Sequence, residues 1–186
     1  MLEIRWHGRG GQGAVTSVEL LALSAIEEGK YAQGFPSFGP ERRGAPVTAF
    51  NRVDDKQIKI RSGIYHPDVV VVLDESLVGL VNVAEGLKPT GILIVNTTKT
   101  LEQLKKHIRF EGRIATCDAT GIAWKELGVP ITNTTMLGAL VKLTGAVKLE
   151  SLDSPIKERF GRIAPKNQAA AKRAFEEVKI INEGSK

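Results

Sequence analysis

The chain has 186 residues, the size of one ordinary domain and long enough to bury a substantial core. Its 42% hydrophobic and 25% charged content is that of a globular protein. With 26 Lys plus Arg against 21 Asp plus Glu, the net charge of +5 suits anionic ligands or acidic partners, but is too small to argue for nucleic acid.

Cys117 is the only cysteine. One thiol cannot close an internal disulfide, and an iron–sulfur cluster needs about four thiolates. The chain therefore carries neither a disulfide framework nor a cluster of its own, and a reducing compartment fits it. Residues 1–6 alternate apolar with charged and form no signal core, and no apolar run approaches the ~18 residues of a membrane span. A cytoplasmic protein with no membrane partner is expected.

Leu2, Ile4 and Trp6 alternate with Glu3, Arg5 and His7, the period of a strand. Gly8-Arg9-Gly10-Gly11-Gln12-Gly13 follows as a turn, and Ala14 to Glu28 has the apolar spacing of a helix closed by Gly29. Tyr31 to Pro46, rich in Gly and Pro, reads as one long loop, a type of segment that tends to be functional. Val47 to Val53 reads as a strand and Gln57 to Arg61 as a second, joined in a hairpin through Asp54-Asp55.

Asp68 to Asp74 is an apolar run with acidic ends, as expected of a central strand buried on both faces. Next come a helix over Glu75 to Glu85, a strand over Gly91 to Val95 and a short helix over Leu101 to Lys106. Gly112 to Cys117 is a further strand, followed by a helix around Ile122 to Leu127 and a connector from Pro130 to Thr135. Helices are expected over Met136 to Thr144, Asp153 to Phe160 and Pro165 to Ile181, with Ser154 and Pro155 suiting the N-cap and first position of the second. This alternation predicts an α/β fold, three layers α/β/α around a mixed, mostly parallel sheet, in a single domain over residues 1–186.

The glycine turn carries the chemistry. Glycines let the backbone take positive φ and approach a ligand closely, and the following helix offers unpaired N–H groups with partial positive charge. Together they make an anion site, to which Arg9 adds a full charge. Gly8, Gly10 and Gly13 satisfy G-x-G-x-x-G, but a nicotinamide site also wants an acidic residue ending a second strand about 20 residues on. Lys30 to Phe35 offers neither the strand nor the acid, so NAD is disfavoured. In the loop beyond, Ser37, Arg42, Arg43 and Gly44 bring two guanidinium groups, whose planar forks bind phosphate oxygens bidentately. Solvated or interface roles for the two arginines remain open on chemistry alone.

Other candidates are weaker. His7, His66 and His107 lack metal-ligand spacing, Cys117 reads as a small buried hydrophobe, and Trp6 and Trp124 as core or interface residues. Asp74 ends a parallel strand, where ligands gather in such sheets. Asn133 and Thr134 precede the helix near Met136, where they can simply cap it.

Three motifs at this spacing, GRGGQG from Gly8 to Gly13, SFGPERRGAPVT from Ser37 to Thr48 and NTTMLGA from Asn133 to Ala139, resemble the gamma subunit of 2-oxoacid:ferredoxin oxidoreductases over nearly the whole chain. The resemblance implies a subunit of an enzyme that converts pyruvate, coenzyme A and oxidised ferredoxin to acetyl-CoA, CO2 and reduced ferredoxin. It places coenzyme A on this chain, with the glycine turn facing its phosphates and the loop of Arg42 and Arg43 closing on its adenosine phosphate end. It places thiamine diphosphate, Mg and iron–sulfur clusters on alpha, beta and delta-type partner subunits, and no catalytic residue or metal here. 2-Oxoisovalerate and 2-oxoglutarate stay open as substrates, as do two alternatives: a purely architectural subunit, or a free-standing nucleotide-binding enzyme. Ala45 stands where the family loop often has a second glycine.

Overall fold

A computed structural model describes residues 1–37 and 43–184. Seven strands form one mixed sheet in the order β2-β3-β1-β4-β5-β6-β7. Strands β1 (Leu2–Arg9), β4 (Val69–Val72), β5 (Ile92–Asn96) and β6 (Arg113–Cys117) run parallel, while β3 (Pro46–Asp54) lies antiparallel to β1, and β2 (Tyr31–Pro36) antiparallel to β3. β7 (Lys179–Glu183) closes the far edge antiparallel to β6.

The two faces of the sheet are clothed differently. On one, Ile4, Trp6, Val71 and Ile94 pack beneath helices α1 (Ala14–Glu27), α3 (Ala119–Leu127), α4 (Asn133–Thr144), α5 (Asp153–Phe160) and α6 (Ala164–Glu177). α4 and α6 approach until a Cβ at Gly138 would stand 1.9 Å from the Ala171 carbonyl oxygen. On the other face Val70, Val72, Leu93 and Val95 are covered by the short helix α2 (Leu101–Lys105) and by turns carrying Leu77, Val83 and Leu87. That layer stops at β4. Over β1 and β3 its place is taken by a loop held down by Arg52, a guanidinium 1% exposed. It pairs with Glu3 at 2.9 Å and donates to the carbonyls of Ser62 and Gly63 at 2.8 and 3.2 Å.

The α/β class, the mixed sheet, β1, α1 and the buried central strand follow the sequence pattern. Six local expectations do not. Tyr31 to Pro36, read as loop, is a strand, because β3 offers it a free edge. Gln57 to Arg61, read as a strand, is not one: β1 and β2 already occupy both sides of β3. The helix expected over Glu75 to Glu85 shrinks to a 3-10 turn at Glu75–Leu77. There the Asp74 side chain accepts from Ser76 N, and Val78, Val81 and Val83 carry β-branches unfavourable to a helix. The last helix ends at Glu177, and the β-branched run after it becomes β7. Helix α4 begins at Asn133, three residues before Met136, so Asn133 and Thr134 lie inside its first turn. Ser154 is likewise inside α5, with its hydroxyl donating to Glu27 at 2.9 Å and not capping the helix.

Candidate functional site

The glycine turn wraps over the C-terminal edge of the sheet. β1 runs on through Arg9, and Gly10 is stapled to the far end of the loop: its N–H donates to Ala45 O at 2.9 Å, and Gly44 N–H donates to Gly10 O at 3.1 Å. Arg43 forms a parallel bridge with Gly10 and is exposed. The structure thus brings Gly10, Arg43 and Gly44 together from two motifs distant in sequence. Arg42 lies outside the described residues. Ser37 is elsewhere, bonded through its N–H to Thr48 O at 2.9 Å and bordering a groove on the opposite face of the sheet.

Gly11 and Gly13 have φ of 94° and 84°, a left-handed conformation that glycine adopts freely. Gly13 is the N-cap of α1, and among the described residues no side chain caps that helix. Among the described residues the N–H groups of Ala14, Val15 and Thr16 have no hydrogen-bond partner, the condition for an anion site. α4 begins beside it, again without a side-chain cap. Asn133 is 4% exposed and accepts from Thr134 N at 2.8 Å, while its Nδ2 faces Gly13 and has no acceptor among the described residues. A Cβ at Gly13 would stand 2.6 Å from that nitrogen. Two helix N-termini and one amide donor therefore converge on one spot. Thr134 is buried and spent on Asn167, at 2.8 Å.

Gly8 sits under the turn, where a Cβ would press on Leu73 at 3.2 Å. Gln12 Oε1 accepts from Arg9 N at 2.7 Å and its Nε2 donates to Asp74 at 2.7 Å. Arg9 is drawn into the scaffold. Its guanidinium reaches Asp74 at 3.2 Å, Ser76 Oγ at 2.7 Å and Gly44 O at 2.9 Å, holding its charge over the turn. Burial pushes the Asp74 carboxyl up, but hydrogen bonds from Ser76 and Gln12 and the charge of Arg9 outweigh it and hold it below the ordinary aspartate range. Beyond Asp74, a cleft of about 470 Å³ at the C-terminal ends of β4–β6 carries Glu75 and Asp118. Those carboxylates disfavour an anion in the cleft and leave the side of Gly11, Gly13 and Asn133 as the electrostatically favourable one.

Elsewhere, Trp6 is core, with its Nε1 donating to Asn51 at 2.9 Å, whereas Trp124 is 55% exposed. Cys117 is buried, and burial together with Glu177 and Asp118 pushes its thiol up to about 12, so it stays protonated and inert. Among the described residues no group of three His, Cys, Asp or Glu side chains is placed to hold a metal ion, and no helix is long and apolar enough to cross a membrane. The apposition of Gly13 to Asn133 and the staple between Gly10 and Gly44 were not legible as contacts, although all four residues stand among the sequence candidates.

Residues 3–177 match the family model for pyruvate ferredoxin/flavodoxin oxidoreductase. The chain is 58% identical over 182 residues to the pyruvate/ketoisovalerate oxidoreductases common subunit gamma of Thermococcus kodakarensis, covering 97% of this chain and 98% of that one. It superposes on the crystal structure of the pyruvate oxidoreductase subunit PORC of Thermotoga maritima with a TM-score of 0.88 and 46% identity, over 96% and 97% of the two chains. A 2-oxoglutarate:ferredoxin oxidoreductase from Magnetococcus marinus, solved with coenzyme A bound, shares the fold at 18% identity and a TM-score of 0.74, over 94% of this chain and 30% of that one. The NAD alternative also recedes: the strand after α1 exists, but it is an antiparallel edge strand with no acidic residue in it. Glycine turn, sheet order and similarity agree, and the chain belongs to the pyruvate ferredoxin/flavodoxin oxidoreductase family, as a subunit of its gamma type.

Proposed function

We propose that this chain is the coenzyme A-binding subunit of a complex that converts pyruvate, coenzyme A and oxidised ferredoxin to acetyl-CoA, CO2 and reduced ferredoxin. Alpha, beta and delta-type subunits supply thiamine diphosphate, Mg and the clusters in this reading, and electrons leave to ferredoxin without crossing this chain. The observation that carries the proposal is the first turn of α1, with three N–H groups unpaired among the described residues and Asn133 Nδ2 beside it. Such a site takes a phosphate group, and coenzyme A is the phosphate-bearing participant in the reaction. Gly8, Gly10, Gly11 and Gly13 shape the cradle, Arg9 and Gln12 stiffen it, and Arg43 and Gly44 border it where they meet Gly10; Arg42 is taken to act with Arg43, whereas Ser37 stands apart at the groove on the opposite face of the sheet. Asp74 acts through Arg9 and Gln12, and Asn133 contributes the donor. Thr134 supports Asn133 from within the helix. The work of this chain is to hold and present the thiol substrate.

Melting the purified chain with ligand tests this. A ligand that prefers the folded state, present at about 100 times its Kd, adds roughly 2.7 kcal/mol, or about 5–10 °C for a chain of this size. Coenzyme A is expected to give such a rise. A rise with NAD and none with coenzyme A overturns the proposal. No rise with either, in the chain and in the assembled complex, leaves the architectural role as the reading that survives.

A further inference from the structure

A second large concavity lies away from the glycine turn. It is a groove of about 850 Å³ on the face of β1–β3 that the second helical layer does not reach. A volume in the upper part of the ~300–1,000 Å³ range of small-molecule sites sets it apart from a flat docking face. Phe35, Thr48, Phe50 and His7 line its floor, and segments 61–66 and 82–86 wall it on two sides. The rings of Phe35 and Phe50 lie 5.4 Å apart at 31°. Arg52 backs the Phe35 ring at 5.5 Å.

His7 gives the groove its polarity. It is 7% exposed, and its Nε2 accepts from Arg5 Nε at 3.0 Å. A guanidinium only donates, so that nitrogen is bare and the ring proton sits on Nδ1. Arg5 is itself fixed by the carbonyls of Val83 and Glu85 at 3.0 and 2.5 Å, which locks the imidazole orientation. The Nδ1–H has no acceptor among the described residues. A nine-tenths buried donor of fixed orientation thus borders an aromatic floor. The Glu85 carboxylate on one wall can accept a hydrogen bond, and exposed Arg61 and His66 stand on the other.

We propose that this groove seats the adenine of an adenine nucleotide, stacked on Phe35 and Phe50. The base presents a ring-nitrogen acceptor beside an exocyclic amine, the complement of the His7 N–H and the Glu85 carboxylate. Aromatic floors bind bases through their π-faces, and the basic rim suits the phosphates beyond. Extending this to coenzyme A rests on the function proposed above: its adenine would occupy the groove while phosphate reaches the turn.

The test uses the full chain, 15N-labelled, with ADP, inosine 5′-diphosphate, 4′-phosphopantetheine and coenzyme A as probes. ADP and coenzyme A are expected to move the amides of Phe35, Thr48, Phe50 and Gly63, whereas phosphopantetheine moves those of Gly11 to Thr16 alone. Arg61→Gln, at an exposed rim position, should weaken ADP about fivefold, the worth of one exposed charge contact. Glu85→Gln should narrow the preference for ADP over its inosine counterpart. Millimolar ADP leaving the groove amides unmoved overturns the proposal. If coenzyme A still moves the turn, only the groove has failed; if ADP moves the groove and coenzyme A moves nothing, only the coenzyme A reading has failed.

Discussion

Gly11 and Gly13 share a positive φ but not a neighbourhood, and this separates two kinds of glycine in one turn. Gly11 opens to solvent, with nothing within 4 Å of a Cβ added to it. Gly11→Ala should cost only the left-handed backbone conformation, about 1 kcal/mol. Gly13→Ala adds a clash with the buried Asn133 amide, and should cost about 3 kcal/mol or more and abolish coenzyme A binding. Urea denaturation of both variants, with titration of the ligand, checks the contrast. His7 offers a second test. Burial and the neighbouring Arg5 depress it from 6.5 to about 3. The unfolded chain therefore binds a proton that the fold refuses between those values. Its contribution to stability is complete above pH 6.5 and is lost as pH falls toward 3, by at most about 1.4 kcal/mol per pH unit. His7→Gln, which keeps an acceptor for Arg5, should flatten the dependence of the denaturation midpoint across pH 6.5 to 4. An unchanged slope would mean the imidazole is protonated in the fold.

Elements whose burial is local were legible; elements defined by a distant partner were not. Helix α1 shows its apolar spacing within its own 14 residues, and the four valines of β4 declare burial on both faces. β2 and β7 are strands because β3, beyond the next loop, and β6, far back along the chain, leave edges open to them, and nothing in Tyr31–Pro36 or Lys179–Glu183 states that. Gln57 to Arg61 failed in the opposite direction, having strand composition but no vacant edge. At the site, the glycines and the arginine loop could be singled out as candidates, because recurring glycine and clustered guanidinium groups are visible in composition. The staple joining them could not, and Asn133, though a weaker candidate in the sequence, showed nothing of its apposition to Gly13, since both are contacts across the fold. The junction of α4 with α6 makes a prediction at this scale. A methyl at Gly138 cannot fit against the Ala171 carbonyl without parting the helices, so Gly138→Ala should cost about 3 kcal/mol or more, well above ordinary overpacking. Thermal unfolding measures it. Because α4 also carries Asn133, the same variant should weaken coenzyme A binding even under conditions where it remains folded.

For the molecule as a whole, the excess of cations is modest, but it shares the edge of the glycine turn with exposed Arg43 and half-buried Arg9. Affinity for coenzyme A should fall as salt rises from 0.05 to 0.5 M, as screening lengths shrink from about 14 to about 4 Å. Arg42→Ala with Arg43→Ala in the assembled enzyme should raise the KM for coenzyme A and leave ferredoxin reduction in a partial reaction unchanged. An unaltered KM would make these arginines structural. The two outer strands carry a separate consequence. β2 ends in Pro36, which has no N–H to offer, and β7 begins and ends with exposed Lys179 and Glu183. Neither rim is a good template for a further strand, so growth of the sheet from one copy to the next is discouraged at both sides. Edge-to-edge polymerisation of this chain is thereby discouraged, which leaves its helices, its loops and its glycine-bearing edge for any other contact.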